Sequence, residues 1–298
     1  MPLDGIVADS IALELKDKIL GGRIVKIFQP ERDEILLHIR TGGTNFKLLF
    51  CANANYPRVH LTNISKENPS NPPVFCMLLR KHISGGKILD VLLHDFERIL
   101  TLSIESVNEL GDLSVKKLII EIMGRHSNII LVNKNGKIID SIKHVDSDMS
   151  RVREVMPARE YVLPPAQNKI SPLSLDIDNL IENAVNSELN IEKYILDNIK
   201  GFSPFLCKEI CFCAGIEGKV PASEIAKSKI LTSCLKDAVF DIIKIIKDRD
   251  YKPCIICNEH NLFGENMTHG SCKEGNPLDF HCLPVRQYKS VEYFDSIS

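Results

Sequence analysis

The chain has no tryptophan and only 6% aromatic residues among its 298. It has no surplus of charge either: 37 Lys and Arg stand against 39 Asp and Glu, a formal net charge of −2. The molecule as a whole is not a polycation. If it binds a nucleic acid, its basic residues must be gathered on one face. No apolar run approaches the roughly 20 residues that span a bilayer. The opening MPLDGIVADSIALELKDK begins with an acid and has neither a basic lead nor an apolar core, so a secretory signal is not expected. Ten cysteines without an export signal read as reduced thiols in the cytoplasm, not as a disulfide framework. That weighs against a surface adhesin.

The length suffices for two modest domains, and 44% hydrophobic with 26% charged residues is ordinary for a globular chain. Asp4 or Asp9 is placed to cap a first helix running to Lys18, with Gly21-Gly22 closing it. From Arg23 to Thr62 the pattern turns to strands: RIVKIFQ, EILLHIR, FKLLFCA and RVHLT. Asn71-Pro72-Pro73 opens a second helix, VFCMLLRKHI, closed by Gly85-Gly86. A second set of strands follows, KILDVLLH, RILTLSIES, VKKLIIEIM, NIILVN and KIIDSIK, with Asn135-Gly136 as the hairpin turn between the last two.

Residues 1–162 therefore read as an α+β domain with an antiparallel sheet. Residues 163–172 are Pro-rich and aperiodic, a linker. Residues 173–250 are helical, with two helices meeting at Gly201 and Ser203 or Pro204 opening the second. This has the form of a helix–hairpin–helix turn, whose backbone N–H groups can hold a phosphate, and equally that of a plain helical corner. Residues 251–298 return to strand-like stretches, PCIIC and DFHCLPV, a β-hairpin segment.

The run Glu121-Ile122-Met123-Gly124-Arg125-His126-Ser127-Asn128 holds the most chemistry. A buried strand runs into Gly-Arg-His-Ser-Asn, and a second strand follows at once. Arg supplies a planar donor fork; His, Ser and Asn supply short mixed donors and acceptors, which a site reading phosphates, sugars or bases can use. A polar strand connection that merely caps and solvates the chain would look the same. Glu97-Arg98 starts a strand, where adjacent charges are usually only solvated. Arg80-Lys81-His82 ends the second helix, where cations suit the dipole in any case, and Arg151 and Arg153 follow the last strand.

Cys254, Cys257, Cys272 and Cys282, with His260, His269 and His281 nearby, invite a zinc reading. The spacing disfavours it: Cys272 and Cys282 are too far apart for a ribbon, and Cys254 and Cys257 at i and i+3 of a strand point to opposite faces. No structural zinc is expected.

The run EIMGRHSNIILVN, the opening MPLDGIVADSIALEL, the segment GGRIVKIFQPERDEILLHIR, the pair Glu97-Arg98, the stretch YVLPPAQNK and the helical GFSPFLCKEI resemble, in the same order, the NFACT family. These are the RqcH- and NEMF-like ribosome quality-control factors, also labelled fibronectin-binding protein A. The resemblance covers nearly the whole chain. Family members continue into a long coiled coil and a further globular domain, so it implies the N-terminal part of a longer protein. It also implies a non-enzymatic RNA-binding module that binds obstructed large ribosomal subunits carrying peptidyl-tRNA. There the factor recruits tRNA, as alanyl-tRNA, for C-terminal alanine tailing. The implied partners are large-subunit rRNA, tRNA and peptidyl-tRNA, with no cofactor and no membrane. The implied RNA-binding residues are Glu97, Arg98, Glu121, Ile122, Met123, Gly124, Arg125, His126, Ser127 and Asn128. In the family the pair at 97–98 is typically Asp-Arg; Glu97 keeps the carboxylate but reaches one methylene further.

The family's architecture also resembles that of Fpg-type DNA glycosylases, which use an N-terminal proline amine as nucleophile. Pro2 fits that pattern, but Leu3 stands where those enzymes place a glutamate, and Asp4 comes one residue too late. A glycosylase-like DNA-binding protein and a fibronectin-binding surface adhesin are the alternatives.

Overall fold

The computed structural model describes residues 3–107, 111–257 and 276–298. By internal contacts these divide into two units, Ile11–Ala166 with Ser298, and Leu3–Ser10 with Gln167–Ile297. Helix α1 (Gly5–Ile19) begins in the second and continues in the first.

The first unit is a nine-stranded antiparallel sheet. Its strands are β1 (Arg23–Phe28), β2 (Glu34–Thr41), β3 (Thr44–Cys51), β4 (Arg58–Leu61), β5 (Lys87–Leu93), β6 (Ile99–Val107), β7 (Leu113–Glu121), β8 (Asn128–Val132) and β9 (Ile138–Ser141). Their order, β4-β3-β2-β1-β5-β6-β7-β8-β9, is two meanders joined where Arg23 pairs with Lys87. The crossover between meanders carries α2 (Val74–Ile83), which buries Phe75, Cys76, Leu79 and Ile83 on one stripe and leaves Val74 and Met77 exposed. Alternation of apolar and polar residues sets the inner face, as in β6, where Leu100, Leu102 and Ile104 are buried. Ile99, Ile119, Ile130, Val132, Ile138 and Val155 form a core cluster across the second meander. Each such fully buried aliphatic side chain contributes about 1.5–3 kcal/mol. Asn135-Gly136 does form a turn: Gly136 takes φ +80, and the Asn133 side chain accepts from the Asn135 and Lys137 N–H groups.

The second unit holds α3 (Ile177–Ala184), α4 (Ile191–Asn198), α5 (Pro204–Cys213), α6 (Ala222–Lys227) and α7 (Lys229–Asp248). A three-stranded sheet of β10 (Cys254–Cys257), β11 (Pro277–His281) and β12 (Val291–Tyr293) follows, in the order β11-β10-β12. Strand β12 thus adds a third strand to the expected hairpin. At the helical corner Gly201 takes φ +79, Ser203 caps α5 by accepting from the Leu206 N–H, and Pro204 occupies the first turn.

Asp4, not Asp9, caps α1. Its Oδ1 accepts from the N–H groups of Ile6 (3.1 Å) and Val7 (2.9 Å). Its Oδ2 accepts from the Ser203 hydroxyl at 2.6 Å and lies 3.1 Å from His281 Nε2. His281 Nδ1 accepts from the Leu283 N–H, which leaves the ring proton on Nε2, directed at Asp4. Burial alone would raise the Asp4 carboxyl; His281, Ser203 and the Val7 N–H outweigh it and hold the group below its ordinary value. Asp9 accepts from the Tyr251 hydroxyl at 2.6 Å.

Candidate nucleic-acid interface

Two strand connections meet at one end of the first unit's sheet. The first is the β5–β6 hairpin, His94-Asp95-Phe96-Glu97. It closes with Glu97 N–H donating to the His94 carbonyl at 2.7 Å, and its central residues, Asp95 (φ 39) and Phe96 (φ 55), are both left-handed. A type I′ turn normally takes Asn-Gly or Gly-Gly here; a phenylalanine carries backbone strain. Phe96 is buried and so fixes the turn that presents Glu97 and Arg98, both half-buried.

The second connection is the 121–128 run. Ile99 pairs with Glu121, and the Ile122 N–H donates to the Arg98 carbonyl at 2.8 Å, which brings Arg98 beside this run. Gly124 takes φ +57 and opens a single 3₁₀ turn, Gly124–His126. The turn closes through His126 N–H to the Met123 carbonyl and Ser127 N–H to the Gly124 carbonyl. The Ser127 hydroxyl accepts from the Met123 N–H at 2.8 Å. Arg125 and His126 stand exposed at the tip, with Arg125 Nε donating to His126 Nε2 at 2.9 Å.

The run therefore splits into two chemistries. Arg125 and His126 face solvent, and Met123 and Gly124 do so in part. Glu121, Ile122, Ser127 and Asn128 are buried, between 0% and 2% exposed, and cannot touch a nucleic acid directly. This corrects the expectation that all eight residues form the binding surface. Glu121 accepts from the two terminal guanidinium nitrogens of Arg153 and from the Tyr161 hydroxyl (2.8 Å). Arg153 also donates to the Val162 carbonyl at 2.8 Å, and its guanidinium lies 6.0 Å from the centre of the Tyr161 ring. Burial would lower the Arg153 pKa, but the Glu121 bond and charge raise it. Burial and then Glu121 push the Tyr161 phenol up. Asn128 clamps the main chain of Lys143, accepting from its N–H at 3.1 Å and donating to its carbonyl at 2.8 Å. Lys143 in turn donates to the Ala52 carbonyl.

Two supporting residues were missed from sequence as parts of this site, Tyr161 and Lys143. A glutamate inside the apolar run LIIEIM was the available signal, because a buried carboxylate requires a partner. Arg153, which in the sequence only follows the last strand, is that partner. Arg80 goes elsewhere, donating through Nε to the Ile27 carbonyl at 2.9 Å. At the helical corner, Ser203 and the Gly201 carbonyl are used internally, the latter accepting from the Gly5 N–H.

Among the described residues no three His, Cys, Asp or Glu side chains are grouped to hold a metal. Cys272, His260 and His269 lie outside the described residues. Cys254 and Cys282 are buried free thiols that burial pushes upward, Cys254 to about 11. Cys257 is buried as well. Pro2 also lies outside the described residues. Asp4, the acid nearest to it in sequence, is already engaged by its helix cap, Ser203 and His281.

The chain is an α+β protein in which an antiparallel-sheet unit presents an exposed Arg-His turn on a buried, paired scaffold. It belongs to the NFACT family, matching the description "NFACT N-terminal and middle domains" over residues 4–298. It is 47% identical over 221 residues to the Rqc2 homolog RqcH of Bacillus subtilis, a match covering 74% of this chain and 39% of that protein. It is 23% identical to the human ribosome quality control complex subunit NEMF, covering 76% of this chain and 20% of that protein. The chain thus spans well under half the length of these relatives. Among solved structures, the N-terminal part of the fibronectin/fibrinogen-binding protein of Streptococcus suis superposes with a TM-score of 0.75 at 29% identity, covering 99% of this chain and 95% of that one. The fibrinogen-binding protein of Staphylococcus aureus gives 0.76 at 28%, covering 100% and 96%.

Proposed function

We propose that this chain is the RNA-binding part of a ribosome-associated quality-control factor. It binds an obstructed large subunit carrying peptidyl-tRNA and recruits tRNA for C-terminal alanine tailing. The chain itself performs no covalent chemistry in this reading, and it works in the cytoplasm. The observation that carries the proposal is the exposed Arg125-His126 turn beside Arg98, in a chain of the family that contains RqcH and NEMF. Arginine forks suit phosphates and guanine edges, and Glu97 beside them can accept from a base amine. That no helix among the described residues is long and apolar enough to cross a membrane is compatible with this reading.

The test is sedimentation of the protein with purified large subunits and with tRNA. The wild type should co-sediment with free large subunits, and Arg98→Ala/Arg125→Ala should not. Equal co-sedimentation of both would sink the assignment of this turn. A second reading, a surface protein that binds fibronectin or fibrinogen, draws on the names that the solved relatives carry. Cell fractionation separates the two.

A further inference from the structure

The first unit has a second cationic surface, remote in sequence from the Arg125 turn. In the sheet register Arg23 lies opposite Arg40, Lys26 opposite His38, and His38 opposite Lys47. Directly paired residues share a face, and His38 and Arg40 are two apart, so all five point the same way. The opposite face is core, with Ile35, Leu37, Ile39 and Leu48 buried. A bulge at Val25 makes this arrangement. It shifts the register between Ile24 and Lys26, so that Lys26 turns outward while Ile24 and Ile27 both turn inward.

Like charges directly opposite one another across strands are unfavourable. Burial, then Lys47 and Lys26, lower the pKa of the His38 ring, which places both lysines close to it. Among the described residues no carboxylate pairs with Arg23, Lys26, Arg40 or Lys47. The hydrogen bonds of Arg23 and Lys47 go to neutral oxygens, those of Gly85, Asn63 and Ser65. The carboxylate on this face, Glu34, sits buried at its other end and is paired with Arg58 (3.2 Å) and Lys66 (2.7 Å). Beside the row an open groove of ≈ 380 Å³ follows β1, lined by Lys26, Phe28 and Arg80 among others. The Arg80 guanidinium reaches in from α2, 5.8 Å from the Phe28 ring centre.

A near-neutral chain that gathers uncompensated cations on one exposed sheet face has built a surface for a polyanion. We propose that the outer face of β1–β3, with Lys26, Arg40 and Lys47 at its centre and Arg23 and Arg80 at its margins, is a second RNA site that grips the phosphate backbone. This rests on the RNA-binding reading above but assigns different residues. Lysine and arginine on phosphates position a strand without reading its sequence, so the site is sequence-independent.

The experiment measures fluorescence anisotropy of a labelled single-stranded RNA of about 20 nucleotides against the 298-residue chain, at about 50 and 200 mM salt. Three proteins are compared: wild type, Lys26→Ala/Arg40→Ala/Lys47→Ala, and Arg98→Ala/Arg125→Ala. The triple variant should bind about tenfold or more weakly at low salt, with the log–log salt slope reduced by about 2, three contacts at roughly 0.7 each. It should do so equally for RNAs of different sequence, with an unchanged or raised melting midpoint. Wild-type affinity and slope in the triple variant overturn this proposal, and the Arg98/Arg125 variant reports separately on the other site. Loss of binding to a polyglutamate peptide with RNA binding intact assigns the face to an acidic protein and likewise overturns it. A wild-type chain that binds no RNA overturns both readings.

Discussion

Two buried carboxylates organise the two units, and they are held in different ways. Glu121, fully buried in the sheet unit, is matched by the permanently charged Arg153 and by Tyr161. Asp4, in the other unit, is matched by donors without a permanent charge: two backbone N–H groups, the Ser203 hydroxyl and the His281 ring. The first arrangement is an ion pair beneath the exposed Arg125-His126 turn. The second is a helix cap that ties Leu3–Ser10 to the rest of its unit. An ion pair is costly to break from one side, because the remaining charge stays buried. A carboxylate held by neutral donors loses less when its charge is removed, and its contribution depends on pH.

The largest effect should come from breaking the ion pair. Glu121→Ala strands the Arg153 guanidinium, whose side chain is only 14% exposed, and should destabilise by about 3–5 kcal/mol in urea unfolding. The double change Glu121→Leu/Arg153→Met should recover much of that loss, since no charge is left behind. A double variant as unstable as the single would show that shape, not charge, sets the cost.

Asp4→Asn should cost about 1–3 kcal/mol at neutral pH, through the weakened cap and the loss of a charged acceptor. The Asp4 carboxyl is held below its ordinary value of 3.8, so its stabilisation is complete above that pH and is lost as pH falls through the folded value. The gap between wild type and Asp4→Asn should therefore narrow below about pH 4. A gap independent of pH between 2 and 7, by thermal melts across that range, would remove the charge from the account.

Gly124→Ala tests the turn itself. An added Cβ would lie 3.7 Å from the Ala54 carbonyl oxygen, an ordinary contact, so the cost is conformational. About 1–2 kcal/mol is expected for forcing alanine to φ +57. The smallest effect on stability is expected at Arg98 and Arg125, where alanine should change the unfolding midpoint by no more than about 0.5 kcal/mol. RNA binding by the same variants should fall, with the salt slope reduced by roughly 0.7–0.9 for each lost phosphate contact. Unfolding of either variant at the cost seen for Glu121→Ala would place these arginines in the scaffold.

Much of this was legible from residues alone. The strands stand where the apolar runs RIVKIF, EILLHI and ILTLSI put them, and ILTLSI keeps its alternation. The Asn135-Gly136 turn and the Pro-initiated α2 stand where the local chemistry puts them. Of the run 121–128 that the sequence singled out as a whole, Arg125 and His126 stand exposed at its tip. The burial of its other half was not legible, because a polar residue beside a strand reads alike whether it meets water or a partner from across the fold. Arg153 lies 32 residues from Glu121 and Tyr161 lies 40 away, separations at which no local pattern operates.

The sequence by itself determined the periodic elements, the α+β character and the family, since backbone propensity, turn chemistry and side-chain alternation act over a few residues. Only the tertiary structure decided that Glu121 and Asn128 support the turn from within, that Asp4 joins α1 to His281, and that Lys26, His38, Arg40 and Lys47 share one face. The physical reason is that burial and strand register are settled by packing, and a single bulge at Val25 is enough to reverse which side of a sheet a lysine occupies.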